Sequence, residues 1–259
     1  MRILILEAFF VLAFFTTLPM RAIAIQRYES MHEILSMSTK QFLNLFLPTR
    51  SYKKLAALFF HCIFSGVVFS YLAEKVLYSS INDLILRIGI IIFLFIVVEC
   101  MMYLSIFDIE FFEVPNRFSL FFLGFLILTD ISLLYFTKFN GSIYLWENHY
   151  FYPFSNLIAG GIAGFLIFLL VFFTKERGMG SGDIRIAAMM GLLLGLQKIV
   201  IGFYATIISA CILSLMYSWY LKRFKGVKIP FVPFIVFGTL ITLILSHEIV
   251  TIFLRFYLK

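Results

Sequence analysis

Among the acidic residues inside or at the edge of long apolar runs, four stand out: Glu7, Glu99, Asp108 and Asp183. Ionisable groups at membrane depth are costly, so each is a candidate for chemistry. Asp108 stands in Phe107-Asp108-Ile109-Glu110, followed by Val114-Pro115-Asn116. Asp183 follows three alternating glycines, Gly178, Gly180 and Gly182, and precedes Arg185. Two carboxylates that converge in a partly dry site cannot both ionise cheaply, and the pair shares a proton. The ionised member can take a proton from water while the protonated member donates to a substrate carbonyl. That is aspartyl proteolysis, which needs neither a metal nor a covalent intermediate. The same residues also suit two solvated helix-end carboxylates, with Asp183 as a helix N-cap. The glycines fit either a close approach of substrate backbone or a flexible loop before a helix.

The elements that must hold these residues follow from composition. Of 259 residues, 62% are apolar and only 14% charged, with 34 Phe. Mean hydropathy is +1.02. A soluble domain is about 45–50% apolar and about 25% charged, so a soluble globular domain, a disordered chain and a disulfide-stapled scaffold are all excluded. The expected fold is all-α, a polytopic membrane protein of about eight transmembrane helices. The runs cover 3–24, 55–73, 84–107, 118–136, 157–173, 186–196, 199–221 and 231–257. The sixth is short for a span, and its boundary with the seventh is placed near Gln197 and Lys198. Two complete runs separate Asp108 from Asp183, so both aspartates belong on one side of the bilayer. That side also collects twice as many Lys and Arg as the other, which makes it cytoplasmic and puts both termini outside. The net charge of +7 therefore reads as topology control, and no nucleic-acid partner is expected.

The chain divides into a first span with a polar-containing loop, 1–54, and a membrane-embedded core, 55–259. Ala22-Ile23-Ala24 resembles a processing site, but Arg21 crowds it and Glu7 interrupts the apolar run, so the first helix is expected to be retained. Within 26–54, apolar residues recur at helical spacing from Met31 to Phe46, as in an interfacial or bundle-packed helix that Pro48 ends. Cys62, Cys100 and Cys211 sit in apolar runs without Cys-x-x-Cys spacing, and the four histidines show no ligand pattern, so no metal is expected. No Ser-x-Lys or Gly-x-Ser-x-Gly nucleophile pattern supports a covalent protease. Gly160 with Gly164, and Gly191 with Gly195, make GxxxG pairs suited to close helix packing.

The segment Gly178-Met179-Gly180-Ser181-Gly182-Asp183-Ile184-Arg185-Ile186-Ala187-Ala188-Met189-Met190-Gly191 resembles the signature of type IV prepilin peptidases, membrane aspartyl proteases of the GxGD class. Arg185 replaces the Lys of that signature, while Ile186, Ala188 and Gly191 fill the following places. Asp108 lies seven residues before Pro115, as the first family aspartate does, and Val114-Pro115-Asn116 reads like the family's Ile-Pro-Asn/Asp element. Ile229-Pro230-Phe231-Val232-Pro233-Phe234 is a weaker match to a Pro-Phe-Gly-Pro stretch, with Val232 for Gly. The resemblance implies Asp108 and Asp183 as the catalytic pair. Gly178, Gly180, Gly182, Arg185, Pro115 and Asn116 would bind substrate or shape the site. It further implies cleavage of short basic leaders from prepilins or pseudopilins at the cytoplasmic face of the inner membrane. Glu110, Glu113 and Glu176 would then be placed to attract such a leader.

Bifunctional members of that family carry two Cys-x-x-Cys pairs after the first span and N-methylate the product with S-adenosylmethionine. The loop 26–54 contains no cysteine, so no cofactor is expected for proteolysis, and S-adenosylmethionine only if methylation is retained. Presenilin-like proteases also pair two such aspartates, but their Pro-Ala-Leu element is missing here. A proton-coupled transporter would use the same acids as a proton path and predicts internal repeats that this sequence lacks.

Overall fold

The computed structural model describes residues 2–17, 52–79, 81, 83–137, 143–146, 149–174, 180–220, 222 and 229–257. With no water in the hydrocarbon, a spanning segment must satisfy its backbone internally, and the apolar runs accordingly form helices. They are α1 (Arg2–Thr17), α2 (Tyr52–Leu77), α3 (Leu84–Phe111), α4 (Asn116–Phe136), α5 (Pro153–Thr174), α6 (Ser181–Tyr220) and α7 (Val232–Tyr257). Among the described residues, five are long and apolar enough to cross a membrane. The expected all-α polytopic architecture is what the chain adopts. Most of the loop assigned to an amphipathic helix, with Pro48, lies outside the described residues. Between α4 and α5 a short antiparallel hairpin intervenes, β1 (Ile143–Trp146) with β2 (His149–Phe151), in which Tyr144 pairs with Tyr150.

A straight α6 of 40 residues would be about 60 Å long, twice the hydrocarbon thickness. It is not straight. Gly195 has φ 69° and ψ 173°, outside the helical region and unfavourable for any residue with a Cβ. Beyond it the chain turns back so sharply that Gly202 lies against Met190 and Leu194. In a straight helix Met190 and Gly202 would stand about 18 Å apart. The backbone N–H of Leu196 donates to Ser155 Oγ at 3.1 Å, capping the second arm from a different helix. The expected sixth and seventh helices are therefore two arms, divided at Gly195 instead of at Gln197 and Lys198. Gly195 is the turn of this pair, not one half of a packing motif.

The chain forms two compact units, the first comprising 1–78 with 82–110 and the second 79–81 with 111–259. In the first unit α1 lies on α2, where Gly66 leaves room for the Phe10 ring. Phe69 of α2 packs edge-on against Phe9 of α1 and Phe95 of α3, with centroids 5.4 and 5.0 Å away. One polar cluster crosses all three helices. Thr17 Oγ1 donates to both Glu99 oxygens at 3.2 Å, and Ser65 Oγ donates to Oε1 at 3.1 Å. Inter-helix hydrogen bonds of this kind contribute about 1 kcal/mol each in membranes. Glu99→Gln retains an acceptor oxygen and is expected to unfold in detergent close to wild type. Glu99→Ala, which strands the Ser65 hydroxyl, should be destabilised by about 1–2 kcal/mol.

In the second unit α5 runs antiparallel to the first arm of α6. Asn156 meets Gly195, Gly160 meets Leu192 and Ala188, and Gly164 meets Ala188. Gly191 presses on the backbone of Ala159 and Gly160, so the small-residue stripes set a backbone-to-backbone contact. α7 joins the second arm of α6 through Gly238, which faces Thr206 and the Gly202 carbonyl.

Candidate active site

The N-terminus of α6 carries the Gly-x-Gly-Asp turn. Gly180 occupies the N-cap position, and Asp183 is the third helical residue. The Asp183 N–H donates to the Gly180 carbonyl at 3.1 Å, and the Gly180 N–H donates back to Asp183 Oδ2 at 3.0 Å. This is one half of a capping box: the acid at the third position closes the helix start, and the N-cap glycine supplies no side chain in return. Asp183 is 8% exposed. One carboxylate oxygen thus fixes the turn, and Oδ1 makes no hydrogen bond among the described residues.

Gly182 is required by packing. A Cβ there would lie 2.7 Å from Val114 Cβ and Cγ2. The segment that joins α3 to α4 therefore rests directly on the residue preceding Asp183. Phe112 ends α3 with φ 55°, a left-handed helix stop that costs a residue with a Cβ about 1–2 kcal/mol. Pro115 then sits at the N-cap of α4 with extended backbone (φ −65°, ψ 108°) and no side-chain cap bond.

A second contact fastens the same connection. Arg185 Nη2 donates to Asn116 Oδ1 at 2.5 Å, and Nη1 donates to the Asn116 carbonyl at 3.3 Å. Asn116 and Ser181 consequently lie at the same end of the second unit, and α4 and α5 between them make one pass out and one back. Arg185→Ala and Asn116→Ala are expected to lower activity similarly, and their double mutant no further. Additive losses in that cycle would show that the two side chains act separately.

Asp108 occupies the last turn of α3 and is 6% exposed. Glu99 lies in the Thr17–Ser65 cluster of the first unit, and Glu7 is exposed on α1. Gly178 and Glu176 lie outside the described residues, and Glu113 is exposed on the α3–α4 connection. All three cysteines are free, and no group of ligands able to hold a metal occurs among the described residues. One buried acid escaped the sequence reading. Asp130 of α4 is 1% exposed, with Asn156 as its polar neighbour. Its signal was an aspartate within an otherwise apolar run, the same signal that marked Glu99.

Residues 93–218, which include both aspartates, the α3–α4 connection, the first arm of α6 and most of the second, match the type IV leader peptidase family. This stretch belongs to that family. A prepilin leader peptidase/N-methyltransferase of Bacillus subtilis (strain 168) is 23% identical over 173 residues, covering 66% of this chain and 63% of the relative. The chain thus spans less than two thirds of that relative's length. No solved structure matches. The family segment begins within α3 and ends within the second arm of α6, so α1, α2 and α7 lie outside it.

Proposed function

We propose that this protein is a membrane-embedded prepilin leader peptidase in which Asp108 and Asp183 activate water between them. The observation that carries the reading is the docking of Val114 on Gly182, reinforced by Arg185 on Asn116. Only five residues lie between Asp108 and Val114, a reach of at most about 20 Å even when fully extended. Val114 belongs to the connection that follows α3, the helix that ends three residues after Asp108, and that connection rests on the turn that presents Asp183.

In the proposed reaction the ionised carboxylate takes a proton from water as the water oxygen bonds to the scissile carbonyl carbon. The protonated carboxyl gives its proton to the carbonyl oxygen. The tetrahedral diol collapses as the first carboxyl, now protonated, delivers its proton to the leaving nitrogen. The C–N bond breaks, and one diol proton returns to the second carboxylate. Atoms and charges balance, and the pair ends as it began. The substrates proposed are prepilins or pseudopilins with short basic leaders, cut at the cytoplasmic face of the inner membrane. N-methylation forms no part of this proposal, because the loop 26–54 lacks the cysteine pairs of bifunctional relatives.

The test is cleavage of a purified prepilin by the protein reconstituted in lipid vesicles. Wild type should release the leader, and Asp108→Asn and Asp183→Asn should each abolish release at normal membrane levels. Full activity in either variant sinks the mechanism.

A further inference from the structure

The first unit contains a buried histidine that the reaction does not use. His61 of α2 is 7% exposed, and its Nε2 lies 2.8 Å from Ser105 Oγ on α3, itself 1% exposed. Ser105 precedes Asp108 by three residues, so the two side chains are neighbours on one helix face. α2 and α3 also meet through apolar groups, including Phe69 on Phe95 and Cys62 with Ile106. A hydrogen bond adds a directional constraint to such contacts. Glu99 makes a second polar tie between α2 and α3, nearly two turns earlier. The first half of α3 is open to its surroundings, with Ile85 82% and Ile92 54% exposed. From Met101 to Phe107 the helix is buried throughout, and the His61–Ser105 bond is a directional contact one turn before Asp108.

We propose that His61 is a positioning residue for Asp108, acting through Ser105. This rests on the reading of Asp108 as catalytic. A side-chain tip stands about 5–6 Å from a helix axis, so a rotation of about 20° displaces it by about 2 Å. Misplacement by about 1 Å already costs about 10²-fold in a reaction that depends on orientation. Glu99 holds the middle of α3, and His61 holds the turn that carries the carboxyl.

The experiment compares His61→Ala, Ser105→Ala, the double variant and His61→Gln, all reconstituted in lipid nanodiscs. His61→Gln returns a side-chain amide near the position of Nε2 that can either donate to Ser105 Oγ or accept from it. For leader cleavage, His61→Ala and Ser105→Ala should each lower kcat by at least tenfold with KM unchanged. The double variant should be no worse than either, and His61→Gln should recover most of the rate. Hydrogen exchange of the amides at 105–111 is measured in the same samples and does not depend on catalysis. Those amides should exchange faster in both alanine variants and at the wild-type rate in His61→Gln, with α5 amides unchanged throughout. Unchanged exchange in His61→Ala overturns the proposal whatever the cleavage assay shows, as do additive kcat losses or a silent Ser105→Ala. Faster exchange in a protein that cleaves no prepilin upholds the positioning of this turn while the assignment of the reaction fails.

Discussion

Asp183→Asn is expected to lower leader cleavage by at least about 10²–10⁴-fold, the range that a positioned acid or base contributes. The substitution changes little else. An Asn side-chain oxygen can still accept from the Gly180 N–H at the helix start, so the turn should keep its shape. The loss then belongs to the chemistry, because an amide can neither take a proton from water nor return one to the leaving nitrogen. KM should stay within a few-fold of wild type, since the atoms that shape the turn remain. A catalytically silent Asp183 would instead leave kcat nearly unchanged in Asp183→Asn and damaged in Asp183→Ala, the pattern of a helix cap alone. Asp108→Asn should match Asp183→Asn in kcat, and the double variant should fall no further, because a pair that shares one proton fails when either member is lost.

The helices were legible because lipid leaves the backbone one economical arrangement, and an apolar run near 20 residues announces it. The Asp183 turn was legible for a related reason: three alternating glycines before an acid are conspicuous in a chain dominated by bulky apolar residues. The bend at Gly195 was hidden. Leu192, Leu193, Leu194 and Leu196 continue the apolar pattern across it, and a glycine four places after Gly191 reads equally well as a packing residue. Only the positive φ of Gly195 and the return of Gly202 onto Met190 distinguish the two uses. The Arg185–Asn116 contact was invisible in a single sequence for another reason. It joins residues 69 apart, and nothing local to either specifies a partner. Both had been singled out as site-shaping, but each by its own motif.

Gly191→Ala should be the most damaging single-methyl addition in the second unit. Its new Cβ would stand 2.6 Å from Gly160 Cα and 2.5 Å from the Ala159 carbonyl carbon. Both obstacles are backbone atoms of α5, so no rotamer change relieves them and the helices themselves must separate. Overpacking of this kind costs about 1–3 kcal/mol, with the upper end expected where backbone must move. The first arm of α6 carries Asp183 at its start, so separation from α5 also shifts the turn that presents Asp183. Thermal unfolding in detergent should show a clear drop in midpoint, and cleavage should fall with it. Gly161→Ala and Gly124→Ala are the matched controls, since a Cβ at either meets nothing within 4 Å. Each should unfold at the wild-type temperature or slightly above it, because alanine restricts the unfolded chain more than glycine does. A Gly191→Ala protein as stable as those controls would mean that α5 and α6 are not held at backbone contact, and the close packing of the two small-residue stripes would have to be abandoned.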